Sequence, residues 1–308
     1  VQLNIALFGF MSVIWGSTWI AAKAGIAVVP PVFFLACRYV LVVVLLAPFL
    51  RGAPALLTGW RARRVVATGL LIHIGTNVPI FWAMQYVSSG IAALVNLSTT
   101  PLALFGIAIA LGQERANWRH AAALALGLGG LVILFAGKAD MQGGAMELWG
   151  AIAIVGGSVS YSLGSVLARP LLATVAPLQL TAAHSVITAT SALLLAFATE
   201  PVASSAFHAL LAPAPLAGLV FLVLASTFVA HVIFMRLVRD WGAPTAGLYA
   251  FVSPVVALAL GAGVYGEPLG PREIIGGAVM LLGAAIALIG RSNGLRPAAP
   301  DVTSGRLP

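Results

Sequence analysis

Residues 101–137 read PLALFGIAIALGQERANWRHAAALALGLGGLVILFAG, and residues 254–290 read PVVALALGAGVYGEPLGPREIIGGAVMLLGAAIALIG. Pro101, Glu114, Arg119, Gly130 and Gly137 return as Pro254, Glu267, Arg272, Gly283 and Gly290, all at one interval (254 − 101 = 153) and without a gap. Self-similarity of this kind inside an almost continuously apolar chain marks a membrane protein made from two copies of one helical unit.

Composition agrees. With 61% hydrophobic and 8% charged residues, a chain of 308 residues lacks the charged side chains needed to cover a water-soluble globule. Dividing it at its charges and Gly/Pro clusters leaves apolar stretches at 4–24, 32–50, 65–86, 90–111, 120–137, 149–168, 178–199, 215–237, 243–264 and 273–291. Each approaches the ~20 residues that cross a hydrocarbon core as a helix, and none shows the alternation of a lipid-facing strand. The first stretch reads as a retained span rather than a cleaved leader. The expected fold is therefore an all-α polytopic membrane protein with ten transmembrane helices.

Basic residues orient these spans. With the N-terminus inside, Arg51, Arg61, Arg63, Arg64, Arg115, Arg119, Arg169, Arg236, Arg239, Arg291, Arg296 and Arg306 fall on the cytoplasmic side, and only Lys23, Lys138 and Arg272 on the other. This positive-inside bias gives an N-in, C-in topology, accounts for the net charge of +8 and calls for no nucleic-acid partner. A bacterial inner membrane is the expected location. Five helices per copy is an odd number, so the second copy enters from the opposite side and the repeats are inverted. Expected boundaries are 1–137 for the first repeat, 138–292 for the second and 293–308 for a disordered cytoplasmic tail. Shorter matches extend the repeat: Gly9, Gly16 and Ser17 with Gly150, Gly157 and Ser158 (150 − 9 = 141), and Pro31 and Arg38 with Pro177 and His184 (177 − 31 = 146).

Trp15-Gly16-Ser17 with Lys23, Thr100-Pro101 running to Gly112-Gln113-Glu114-Arg115, and Ser253-Pro254 running to Gly266-Glu267-Pro268-Leu269 resemble the EamA-type signature of the drug/metabolite transporter superfamily. The resemblance spans essentially the whole chain. It implies a basket of ten helices around a central cavity and export of small metabolites. Within the superfamily the chain is similar overall to the aromatic amino-acid exporter type.

Polar and aromatic groups inside the spans are the candidate substrate contacts: Trp15, Ser17, His73, Asn77, Trp82, Asn96, Thr100, Ser158, Tyr161, His231, Tyr249 and Ser253. Asn96 and Thr100 share a helix face, and the same spacing returns in Tyr249 and Ser253. Buried amides and imidazoles are costly in lipid and point toward protein or water, whereas each Ser or Thr has interhelical hydrogen bonding as its ordinary role. Trp15 and Trp19 lie one turn apart, suited to a planar ligand. Trp149 and Trp241, near helix ends, read as interfacial anchors. Pro101 and Pro254 sit inside their helices and free the carbonyls of Leu97 and Ala250, which suits either a bending gate or a fixed kink. Glu114 and Glu267 read as matching structural or gating caps. Arg38, seven residues and so about 10 Å past Pro31, is read either as snorkelling outward or bonding nearby carbonyls, or as meeting the substrate.

Carboxylates are missing from the spans: all eight acids fall in loops or at helix ends. A proton-coupled exporter of organic cations ordinarily needs an intramembrane Asp or Glu, so a neutral, zwitterionic or anionic substrate is favoured. No cofactor or metal is expected, because the histidines occur singly, and Cys37 has no partner cysteine. Three other classes find less support in the chain. A channel would need a continuous pore; a Ser/His hydrolase would pair Ser158 or Ser160 with His231, yet no Gly-x-Ser-x-Gly elbow exists; a receptor gains no support from any soluble domain. Oligomeric state is left open.

Overall fold

The computed structural model describes residues 2–50, 58–87, 89–135, 144–265 and 270–292. Glu267, the repeat boundary at 137/138, the tail from 293 and the side chains of Trp19 and Lys23 lie outside what is described. The described residues are helical throughout, without strands. The helices are α1 Gln2–Ile26, α2 Pro31–Leu50, α3 Gly59–Ala83, α4 Ser89–Ala110, α5 Trp118–Phe135, α6 Gly144–Leu172, α7 Pro177–Thr199, the short α8 Ser204–Leu210, α9 Pro213–Trp241, the one-turn α10 Ala243–Ala246, α11 Tyr249–Tyr265 and α12 Pro271–Ser292. Among the described residues six of them, α2, α3, α4, α6, α7 and α9, are long and apolar enough to cross a bilayer.

Two stretches depart from the sequence expectation. The span expected at 243–264 is broken: Gly242 turns at φ +83, Pro244 starts the single turn of α10, and the chain restarts at Tyr249. Pro at the first turn is tolerated because its missing N–H would have been unpaired there. The loop before α9 also carries α8, whose Phe207 packs edge-on against Phe33 with ring centroids 4.8 Å apart.

Equivalent helices of the two copies exchange partners. The first helix of each half packs on the fourth helix of the other, α1 on α11 and α6 on α4. A Cβ on Gly16 would lie 2.8 Å from the Ser253 carbonyl, so only glycine permits that approach. The second helices, α2 and α7, pack on each other, and so do the fifth helices, α5 and α12. At the latter contact a Cβ on Gly276 would meet the Gly130 carbonyl at 2.8 Å. Repeated glycines serve packing here, the usual use of small residues between membrane helices. The halves are thus interleaved rather than side by side.

Third helices carry a further shared feature. Residues 70–74 of α3 and 222–231 of α9 are π-helical, and each stretch contains a histidine, His73 and His231. In both helices a threonine reaches five residues back: Thr76 donates to Leu71 O (3.0 Å) and Thr227 to Leu222 O (2.9 Å). Widened turns of this type concentrate at functional sites and rotate the side chains that follow them.

One end of the bundle is closed. Arg64 donates to Leu167 O, Gln113 to Val166 O, Asn4 to Asp240, and Arg169 to both Gln113 O and Glu114 Oε1 (3.0 and 3.2 Å). Phe8, Met11, Met235, Leu237, Trp241 and Leu248 fill the interior there. Trp241 is buried against Phe8 (ring centroids 6.0 Å), so it is a core residue rather than the interfacial anchor expected from its place at a helix end; Trp149 is exposed. At the other end Glu200 caps α2, accepting from the backbone N–H groups of Val32 and Phe33 at 2.8 Å each. That carboxylate satisfies two orphan donors and meets the positive end of the helix dipole.

Candidate functional site

A cavity of about 200 Å³ opens among α1, α2, α3, α4, α6, α9 and α11. Its floor is aromatic: Trp15 stands edge-on to Tyr249 at 4.4 Å between centroids, and Phe234, fully buried behind the lining, lies 5.2 Å from Trp15 and 5.5 Å from Tyr161. From there the lining runs past His73, Asn77 and Phe81 to Met84, where α3 ends, and to Ala22 near the end of α1. The cavity therefore extends away from the closed end.

Nine of the sequence candidates border it: Trp15, His73, Asn77, Asn96, Thr100, Tyr161, His231, Tyr249 and Ser253. Three do not. Ser17 donates to Val13 O on its own helix (3.0 Å), Trp82 is exposed and tilts against Tyr86 (5.1 Å), and Ser158 is buried between α6 and α4. Ser158 contributes indirectly, because its hydroxyl accepts from Asn96 Nδ2 (3.0 Å) while donating to Ile154 O (2.9 Å). Asn77 likewise spends an N–H on His73 O (2.7 Å). Each amide so held keeps its oxygen as an acceptor. Ser160 donates to Leu71 O (2.9 Å), and among the described residues neither serine is hydrogen-bonded to His231. Pro101 and Pro254 lie inside α4 and α11 next to the lining residues Thr100 and Ser253, whose roles differ: Thr100 O accepts from Ser162, and Ser253 donates to Ser12 O.

Arg38 does not snorkel. Its Nε donates to Thr227 Oγ1 (2.8 Å) and Nη2 to Ser226 Oγ (3.1 Å), with the guanidinium 5.4 Å above the ring of Tyr39. Its acceptors are hydroxyls of the other half rather than nearby carbonyls. Tyr39, a residue no sequence pattern singled out, shares a hydrogen bond with His73 Nδ1 (2.7 Å).

Histidines that are scattered along the chain meet in space. His73, His184 and His231 are all buried and each places a ring nitrogen within 4.8 Å of the others. The sequence reading of isolated histidines is corrected by the convergence of α3, α7 and α9. His184 Nε2 sits 2.9 Å from Thr68 Oγ1, whose own proton goes to Arg64 O (2.7 Å). The threonine oxygen must then accept from Nε2–H, which leaves Nδ1 of His184 as a bare lone pair, and this atom is buried without a partner. Nε2 of His231 is buried and unpartnered as well. Three imidazoles at this spacing resemble a metal-ligand set. Arg38, within electrostatic reach of His73 and His231, opposes a second cation there.

A repeat signal for these groups was present in the chain. The stretch around His73 aligns with that around His231 at an interval of 158 (231 − 73), which also matches Thr68 with Ser226 and Gly69 with Thr227. Combined with the Arg38–His184 match, this pairs Arg38 on Ser226 and Thr227 with His184 on Thr68, each contact crossing from one half to the other.

The family model for the EamA-like transporter family matches residues 3–136 and 148–289, and the chain belongs to that family, with two EamA repeats. It is 31% identical over 307 residues to the uncharacterized inner membrane transporter YedA of Escherichia coli (strain K12), covering 96% of this chain and 93% of that protein. It is 25% identical over 261 residues to the uncharacterized transporter YoaV of Bacillus subtilis (strain 168), covering 83% and 87%. A crystal structure of a protein 22% identical superposes with a TM-score of 0.74, covering 94% of this chain and 98% of the other, and supports the fold alone. The protein is a membrane transporter of the EamA family; the relatives' names state no substrate.

Proposed function

We propose that the protein is an alternating-access carrier that exports small metabolites, amino acids and aromatic ones first, from the cytoplasm of a bacterium. It crosses the inner membrane ten times with both termini inside, as two inverted repeats meeting near residue 137. The observation that carries this reading is a cavity between the repeats that is closed toward one end and walled by Trp15, Tyr161, Tyr249, Asn77 and Asn96, with no carboxylate among the described residues of its lining. Ring faces suit an apolar or aromatic body, and amide oxygens suit a substrate ammonium group.

Volume argues in the same direction. About 200 Å³ is below the ~300–1,000 Å³ typical of pockets for drug-sized molecules. The exchange of equivalent contacts between halves supports alternating access, because two near-equivalent arrangements can trade conformations. The Glu114–Arg169 pair and the apolar plug around Trp241 make the closed side, which the positive-inside bias assigns to the cytoplasm. Closure at one end favours a carrier over a channel.

Counterflow into liposomes containing the purified protein tests this. A panel of labelled amino acids, nucleosides and cationic drugs, with and without a pH gradient, is expected to show saturable exchange of aromatic amino acids. Saturable, strictly proton-dependent uptake of cationic drugs alone overturns the substrate reading, and unsaturable flux overturns the carrier.

A further inference from the structure

Arg38 is, among the described residues, the one charged side chain in the lining of the cavity. Among the described residues no carboxylate pairs with it: the acids with described ion pairs, Glu114 and Asp240, serve Arg169, Arg236 and Arg239 at the closed end. Its two described acceptors are neutral hydroxyls, which orient the guanidinium without balancing its charge. A guanidinium has five N–H donors in a planar fork, so three remain after Thr227 and Ser226 are served. An uncompensated charge inside a membrane protein is expensive, and a fixed, partly satisfied guanidinium facing a cavity is the arrangement that receives an anion in bidentate fashion.

The repeat sharpens the point. At the position equivalent to Arg38 the second half has His184, which is fully buried, bonds Thr68 and is absent from the cavity lining. One half thus supplies a packed imidazole and the other a half-buried charge that faces the cavity. A single guanidinium balances a single negative charge, which favours a monocarboxylate over a doubly charged phosphate. Elsewhere in the lining the oxygens of Asn77 and Asn96 can accept from an ammonium group when the cargo carries one.

We propose that Arg38 anchors the carboxylate of the cargo, so that the carried species are small monocarboxylates with an aromatic or apolar body, for which an ammonium group is accepted but not required. The proposal rests on the carrier reading above, and it deepens that reading by naming the group that every substrate must possess.

The test is counterflow of labelled L-phenylalanine in liposomes with the full chain, competed by 3-phenylpropionate, L-phenylalaninamide and phenethylamine. Phenylpropionate is expected to compete, and the two compounds without a carboxylate to compete at least ~30-fold more weakly. Arg38→Gln is expected to lower phenylalanine counterflow on the order of 100-fold, and Arg38→Lys, which keeps the charge but not the fork, by about 10-fold. Equal competition by the amide, or Arg38→Gln within about twofold of the parent in a monodisperse preparation, overturns the anchor while the carrier stands. Should Arg38→Gln fail to fold, thermal melting of the parent decides: phenylpropionate raises the melting temperature and phenylalaninamide does not, and the reverse order overturns the proposal. If no compound is transported but that melting difference holds, the anchor stands and the carrier reading falls.

Discussion

Arg38 and His184 occupy equivalent places in the two halves and do different work. Arg38 faces two hydroxyls, Ser226 and Thr227, and the cavity; His184 faces one hydroxyl, Thr68, and Gly69, where a Cβ would lie 3.2 Å from the imidazole Cδ2. The glycine in place of Thr227 makes room for a ring and removes an acceptor. A duplicated scaffold therefore keeps its frame, with each second helix held by the third helix of the other half, while the side chains diverge: one copy turns a guanidinium toward the cavity and the other packs an imidazole.

Exchanging the residues is the strongest way to break this comparison. His184→Arg buries a charge with one hydroxyl and no carboxylate beside it, at a cost of several kcal/mol. Little folded protein is expected by size-exclusion chromatography. Arg38→His, which makes the halves chemically alike, should leave the fold intact and reduce counterflow of phenylalanine by about 100-fold. A folded, inactive Arg38→His beside an unfolded His184→Arg would establish the division of labour; two folded and active variants would abolish it.

The supporting hydroxyls give a finer contrast. Thr227→Val removes the acceptor of Arg38 Nε and is expected to raise the apparent KM for phenylalanine about 10-fold, since a hydrogen bond to a charged group is worth ~1.5–3 kcal/mol. Thr68→Val orphans His184 Nε2–H and should cost ~1–3 kcal/mol of stability with KM little changed. Thermal melts and transport kinetics on the same two preparations separate these outcomes. The smallest effect is expected at the closed end. Glu114→Gln weakens a partly exposed ion pair worth ~0–1 kcal/mol, and exchange rates should shift by no more than about fivefold without change in specificity.

How far the chain could be read depended on the range of the interactions involved. Helix positions follow from runs of apolar residues, and the 153-residue repeat follows from direct comparison, so the spans expected from 4 to 291 lie close to the helices observed. Local breaks were harder: the interruption after Gly242 depends on a positive φ that an apolar window does not register. Within the site, Asn77, Asn96, Trp15 and Tyr249 were legible because polar or aromatic groups at buried depth are conspicuous. Ser17, Trp82 and Ser158 met the same criterion and lie outside the lining, since depth along a helix does not say which face a residue occupies. Tyr39 passed unnoticed for the opposite reason: a tyrosine in an apolar helix is ordinary until His73 and Arg38 are found against it.

By itself the sequence determined that this is a helical membrane protein of two copied units, because hydropathy and repetition are properties of the chain order. It also placed the acids in loops or at helix ends, and Glu147 and Asp240 indeed sit in the first turn of α6 and the last turn of α9. Only the tertiary structure decided that three separated histidines meet, that Trp241 is core, and that Arg38 turns toward a cavity instead of lipid. The physical reason is that side-chain direction on an apolar helix is set by which neighbour it packs against, and in this fold the most extensive helix contacts are with the other half.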